Sequence, residues 1–389
     1  MKTHRIIAVT AAAVLLIPTY SSAAESEAKH RIVGYLPDWN YRPFSELDLS
    51  ELTHINIAFC NPDENGKLHC NIPESKLKSI ISDAHSNDVK VFAALGGGDG
   101  CDGYLQHLDT ADKRTAFNAN IMNYCESYDF DGIDLDIELG SDHQIWNFYG
   151  DWCMELRALC DERNMEMSTA TAQWVAEKVT PETFALFDFV NIMAYDNDED
   201  RYSHASYEYS GKCLDYFSAK KKIPKEKLVL GVPFYGRGYT SDGELDWNSY
   251  MSFADIVSKD GEYYNADNYN DIAYNGAATI AKKAELAKGY GGIMIWELTQ
   301  DAKGEKSLLK VISDTLRGET FIAGDVNADG SFNVSDLVLM QKWLLAVSDV
   351  ELENWKAGDL CEDDRLDVFD LCAMRKRLIA GRSITKEIL

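Results

Sequence analysis

Phe130-Asp131-Gly132-Ile133-Asp134-Leu135-Asp136-Ile137-Glu138 alternates three aliphatic residues with three acids. Side chains at i, i+2 and i+4 of a strand share one face, so Asp134, Asp136 and Glu138 line one side and Ile133, Leu135 and Ile137 the other. A half-exposed edge strand meeting water is the ordinary reading of such alternation. It fits poorly here, because three acids on one face repel one another and raise each other's pKa. A carboxyl group kept protonated by neighbouring carboxylates is what a general acid needs near neutral pH. Asp131 has the opposite parity and is read as capping the strand or holding the loop.

Seven more short apolar runs accompany this one. Strands are predicted near residues 31–36, 54–60, 90–95, 132–138, 165–171, 188–195, 227–233 and 292–296, with helical patterns between several of them. Eight such units predict an α/β chain built on a (β/α)8 TIM barrel, and the span from Arg31 to Leu316 suits the usual size of about 250 residues. Active sites in that fold collect at the C-terminal ends of the strands, where Glu138, Tyr195 and Trp296 are expected to stand. Residues 236–290 between the seventh and eighth strands are too few for a large extra domain, which predicts a shallow, open groove.

The 389 residues suit one large domain and one smaller one. A formal charge of −26 argues against a nucleic-acid partner. Lys2 and Arg5 precede an apolar run from Ile6 to Ile17 and then Ser21-Ser22-Ala23-Ala24, the pattern of a signal peptide over residues 1–24. That run is too short to span a bilayer, and no later one is longer, so a secreted protein with no membrane partner is expected. Nine cysteines are an odd number. Cys60 and Cys70 flank a turn-like stretch and are placed to bridge a loop, whereas Cys153 and Cys160 lie seven apart in a helical pattern.

The acidic stretch resembles the Asp-x-x-Asp-x-Asp-x-Glu signature of glycoside hydrolase family 18, the chitinases and endo-β-N-acetylglucosaminidases, with Asp131, Asp134, Asp136 and Glu138 at its acidic positions. Val33-Gly34-Tyr35, Leu52 to Phe59, Asn191 to Asp196, Gly231 to Arg237 and Gly291 to Trp296 are similar to other strands of that family, in the same order. Its usual Ser-x-Gly-Gly stands here as Ala94-Leu95-Gly96-Gly97, so any role of that serine is absent. The resemblance implies that Glu138 is the proton donor, that Asp136 holds the substrate's acetamido group, that Asp134 supports Asp136, and that Tyr195 hydrogen-bonds the same group. It further implies that Tyr35, Phe59, Gly96, Gly97, Met193, Asp196, Tyr235, Arg237 and Trp296 bind substrate, with Trp296 as the floor and no catalytic cofactor. Chitin, or another glycan containing N-acetylglucosamine, is the implied substrate. The chitobiose core of N-glycans is the alternative, and a non-catalytic sugar-binding barrel is disfavoured by the presence of Glu138.

A second domain follows a short join, residues 318–323, and occupies residues 324–383 after a catalytic domain over 30–317. Asp325, Asn327, Asp329, Ser331, Asn333 and Asp336 stand at positions 1, 3, 5, 7, 9 and 12 of a loop with Gly330 at 6, spacing that suits a calcium site. Thirty-four residues on, Asp359, Asp363, Asp367 and Asp370 repeat positions 1, 5, 9 and 12. Cys361 replaces an oxygen ligand and Asp364 the turn glycine in this copy, which predicts a weaker site. Each loop precedes an apolar helix. The duplication resembles a type I-like dockerin, a small all-α calcium-binding module that implies a cohesin on a cellulosome scaffold as partner. A pair of EF-hand sensors would flank each loop with two helices.

Overall fold

The computed structural model describes residues 30–98, 100, 101, 103–198, 203–318, 321–361, 365–379, 385 and 386. The expected signal peptide and Asp363 lie outside these. Eight parallel strands close a barrel: β1 (Arg31–Pro37), β2 (His54–Ala58), β3 (Lys90–Gly96), β4 (Gly132–Asp136), β5 (Glu166–Thr171), β6 (Phe189–Ile192), β7 (Leu228–Pro233) and β8 (Gly292–Trp296). Each pairs with its sequence neighbours, and β8 returns to β1.

Closure buries both faces of every strand, which is why the edge-strand reading of β4 fails. Ile133, Leu135 and Ile137 pack outward beneath the helices, in the larger apolar cluster. The barrel interior is a separate, smaller cluster including Val33, Tyr35, Phe92, Phe189 and Met294. Phe92 and Phe189 lie 5.8 Å apart, each with the His54 ring edge-on. Truncating either phenylalanine would cost about 3–5 kcal/mol, because a filled barrel cannot collapse around the void.

Asp131 fixes the opposite end of β4. Its Oδ2 accepts the Val91 amide at 2.7 Å and contacts His85 Nε2 at 2.8 Å, which ties the entry of β4 to β3. The long surrounding helices start and stop on local signals. Ala111–Tyr128 is capped by the Thr110 hydroxyl and ends at Asp129 in the left-handed region, while Leu308–Arg317 is capped by Ser307 and ends at Gly318.

Residues 236–290 are more than a connection. Strands Tyr235–Tyr239, Leu245–Ser252, Asn268–Tyr269 and Ile272–Ala273 form an antiparallel sheet, and helix Phe253–Lys259 follows its second strand. This small sheet stands beside the barrel mouth through Arg237 and Trp247.

Beyond Gly318, helices Val334–Leu344 and Val368–Ile379 pack on each other around Val326, Met340, Leu371 and Met374. A short helix, Trp355–Gly358, precedes the second loop, where the sequence pattern gave no preceding helix. Phe321–Ile322 pairs antiparallel with Thr385–Lys386, a two-rung addition to the expected helices. The module rests on the barrel's last helix. Lys356 Nζ lies 3.2 Å from the buried Asp314, and the Trp355 indole donates to Glu305 at 3.3 Å.

Candidate active site

Strand register builds the site from below. Asp134 stands opposite Ala94 on β3 and Ser168 on β5, and Asp136 stands opposite Gly96. Ala94 offers Asp134 no hydroxyl, yet three donors reach that carboxylate. Tyr35 Oη donates at 2.6 Å, Ser168 Oγ at 2.5 Å and Asn191 Nδ2 at 3.1 Å. Burial raises the Asp134 pKa, and these hydrogen bonds oppose the rise.

Asp136 is 3 % exposed, and its Oδ1 has no protein hydrogen-bond partner. Its pKa is held well above the usual carboxylate range, first by burial and then by the charges of Glu138 and Asp134. Glu138 lies two residues past the end of β4, partly exposed, where its amide meets Cys101 Sγ at 3.4 Å. Its carboxylate lies above Gly98, where an added Cβ would sit 3.7 Å from Oε1. Tyr195 likewise lies past the end of β6, whereas Trp296 is the last residue of β8.

Two glycines let this geometry exist. Gly96 has φ +113°, and a Cβ there would meet the Asp136 carbonyl oxygen at 2.0 Å. Gly97 has φ +85°, donates its amide to the same carbonyl at 2.7 Å, and lies against the Phe59 ring. Both positions require the freedom that only glycine has.

The mouth of the barrel is a cleft of about 710 Å³. Phe59, Gly96, Gly97, Asp136, Glu138, Met193, Tyr195, Asp196, Arg237 and Trp296 line it, so the structure gathers these sequence-expected residues in one place. Tyr35 and Tyr235 are 1 % exposed and stand behind the lining. Phe59 stacks on Trp296 at 5.9 Å, and Tyr35 meets that indole edge-on at 5.5 Å. Trp39, 59 % exposed, lies at one rim; Trp174 is exposed outside the lining.

Asp196 has left-handed backbone geometry, φ 52°, and takes Arg237 bidentately at 3.0 and 2.9 Å. His204 meets it at 3.2 Å. Burial alone would raise its pKa, but His204 and Arg237 bring it down to about 2. The Arg237 guanidinium also stacks on Tyr235, Trp247 and Tyr250 at 5.1, 5.1 and 5.5 Å. Several lining residues escaped the sequence reading: Asp38, Asn61, His69, Asn71 and Trp247. They sit on loops or on strands off the barrel, two of them only two residues long, where the pattern carries no period. The one usable signal was Trp247 itself, a large aromatic residue in the polar stretch Asp246 to Ser249.

In the C-terminal module, Asp336 accepts amides from Asn327 and Asn333, and Asp370 accepts them from Cys361 and Asp367, thirty-four residues on in each case. The two loops are thus wound alike. Among the described residues no three carboxylate, imidazole or thiol groups converge as a metal site. The donor chemistry of the first loop nonetheless fits a hard cation. Asp336 is fully buried, and after burial the uncompensated charges of Asp325 and Asp329 push its pKa up.

Comparison with known proteins gives the site a context. The model for glycosyl hydrolases family 18 matches residues 31–301, and that for the dockerin type I domain matches residues 323–379. The GH18 chitinase ChiB of the chitin utilization locus of Flavobacterium johnsoniae is 32% identical, with a TM-score of 0.67, over 74% of this chain and 94% of that one. A chitinase from Bacteroides thetaiotaomicron is 28% identical, TM-score 0.67, over 75% and 97%. Chitinase A1 of Niallia circulans is 23% identical over 74% of this chain, which spans 59% of that longer protein. Matched through its whole barrel and by a solved relative of nearly its own barrel length, the chain belongs to glycosyl hydrolases family 18 and carries a type I dockerin domain after it.

Proposed function

We propose that this chain is a secreted retaining chitinase that hydrolyses β-1,4-linked N-acetylglucosamine by substrate-assisted catalysis and is held on a scaffold by its dockerin. One observation carries the catalytic reading. A buried carboxyl oxygen of Asp136, with no protein partner, lies at the mouth beside Glu138. An unpaired buried polar atom is costly, and a substrate N–H placed there relieves the cost. The 2-acetamido group offers that N–H.

Glu138 gives its proton to the glycosidic oxygen as that bond breaks, and the acetamido carbonyl attacks C1 to form an oxazolinium ion. Asp136 accepts the acetamido N–H and, as its own proton passes to Asp134, becomes the carboxylate that balances the growing positive charge; Tyr35, Ser168 and Asn191 hold Asp134 from below. Water, deprotonated by Glu138, then opens the ring with retention. Tyr195 orients the acetamido group, Trp296 is the floor, and the Arg237–Asp196 pair fixes the rim. Chitin is favoured over the N-glycan core because the solved relatives that share the barrel at 32% and 28% identity are chitinases.

The reading extends to the whole chain: signal peptide 1–24, barrel 30–317, join 318–323 and dockerin 324–383. Asp325, Asn327, Asp329, Ser331, Asn333 and Asp336 would hold calcium in the first loop, and Asp359, Asp363, Asp367 and Asp370 in the second. Bound calcium would neutralise the buried carboxylates and keep the loops wound, and it takes no part in hydrolysis.

Mass analysis of products from N-acetylglucosamine oligomers, with wild type beside Glu138→Gln, tests the catalytic part. The variant should bind oligomers and lose turnover by about 10²–10⁴-fold or more. Unchanged turnover would remove Glu138 as the proton donor. Release of glycan from a high-mannose glycoprotein, with chitin oligomers left intact, would transfer the reading to the N-glycan core.

A further inference from the structure

The wall of the cleft below Phe59 is a small hairpin, and two thiols stand at its root. Its strands Asn61–Pro62 and Leu68–His69 pair Asn61 with His69 and Pro62 with Leu68. One rung toward the turn, the Asp63 amide donates to the Lys67 carbonyl at 2.9 Å. One rung toward the barrel, the same register sets Cys60 opposite Cys70.

Hydrogen-bonded and open rungs alternate in an antiparallel ladder. With Asp63 and Lys67 on a bonded rung, Asn61 and His69 occupy the next bonded one, and Cys60 and Cys70 an open one. The Cys60 amide agrees, since it donates to Ala94 on β3 at 2.7 Å rather than across the hairpin. An open rung holds the two Cα atoms about 4.5 Å apart, inside the range of roughly 4.4–6.8 Å that a disulfide spans. Both thiols are free, Cys60 fully buried and Cys70 half-buried, and the Tyr124 hydroxyl lies 3.7 Å from Cys60 Sγ.

We propose that Cys60 and Cys70 are a redox pair whose disulfide staples the root of this hairpin and stiffens the cleft wall. The hairpin earns a staple by what hangs from it. Asn61 clasps Gly96 through both its amide and its carbonyl, at 2.7 and 2.9 Å, and Asn71 donates to Asp38 at 2.7 and 2.9 Å. Phe59, next to Cys60, stacks on Trp296. Freedom at this root therefore reaches the glycine turn, the rim and the floor together.

The chemistry is thiol–disulfide exchange. The neighbouring Cys60 thiol is the main influence that brings the Cys70 pKa to about 7, and Cys70 is the sulfur an outside reagent reaches. Its thiolate attacks a disulfide oxidant such as oxidised glutathione and expels one thiolate. Cys60 gives up its proton, attacks the Cys70 sulfur of the mixed disulfide and expels the second. Two protein thiols are oxidised to one disulfide, and the oxidant's disulfide is reduced to two thiols.

The test uses the full chain equilibrated with oxidised glutathione, then unfolded, alkylated and digested without reductant. Mass analysis should find Cys60 and Cys70 in one linked peptide pair, lighter by two hydrogen atoms than the reduced pair. The oxidised protein should melt several degrees above the reduced one, and this difference should vanish in Cys70→Ser and in Cys70→Ala. Recovery of Cys60 and Cys70 as separately alkylated residues, or a link from Cys60 to Cys125, would overturn the proposal. The wild-type digest decides this even where a variant folds poorly.

Discussion

Asp136 and Asp196 line the same cleft and are tuned in opposite directions. Asp136 is raised by burial and by like charges, so it carries no penalty for a buried charge while protonated. Its stability contribution is whole below the ordinary carboxylate range and is lost as pH rises through its folded value. Asp196, at about 2, contributes above its ordinary value of about 4 and loses that contribution as pH falls from about 4 toward about 2. Glu166, lowered to about 2 chiefly by His54, whose Nε2 lies 3.8 Å away, follows the same acid limb. Thermal midpoints across pH should separate the two. Asp136→Asn should melt above wild type on the alkaline side while abolishing hydrolysis. Asp196→Asn should cost about 2–3 kcal/mol near neutral pH, because it leaves the Arg237 guanidinium without its carboxylate, and the deficit should shrink below pH about 3. An Asp136→Asn protein equal to wild type across the alkaline range would show that Asp136 is not held protonated.

At the scale of elements, the parity of β4 was legible in the sequence because strand geometry alone sends alternate side chains to opposite faces. What could not be read was which side chains from other strands meet them. Ser168 reaches Asp134 only because β5 pairs with β4 in that register, so the hydroxyl missing at Ala94 is supplied from the opposite neighbour. The rule that active residues end their strands also held only loosely. Glu138 and Tyr195 stand beyond the last rung, on backbone held by Cys101 and by the turn at Asp196. The glycine turn after β3 is the element most sensitive to change. Gly96→Ala would place a methyl group against the Asp136 carbonyl and force an L-residue into a left-handed conformation, costing about 1–3 kcal/mol for the backbone alone. Thermal unfolding and oligomer hydrolysis should both fall. A stable, active Gly96→Ala protein would show that the turn can open without moving Asp136.

Over the whole molecule, the eight-strand order and the repeat of thirty-four residues were visible because each is a period in the chain. The small sheet between β7 and β8 was not, since its strands are short and lie where the barrel pattern pauses. Nor did any period announce that the C-terminal module would lie against Asp314 and Glu305. Those contacts are few and partly exposed, so barrel and module should act independently. Calcium chelation should melt the module and abolish capture by a cohesin while hydrolysis of oligomers changes less than about twofold. Loss of hydrolysis in step with capture would mean that the barrel needs the module. The cleft has one further use. Trp39 and Trp247, each 59 % exposed, belong to the lining, and Trp296 meets the aromatic rings of Phe59 and Tyr35. A ligand seated there strips water from two indoles at once, which moves their emission to shorter wavelength. The molecule therefore carries its own optical gauge of occupancy, readable by titration without a label or a chromogenic leaving group.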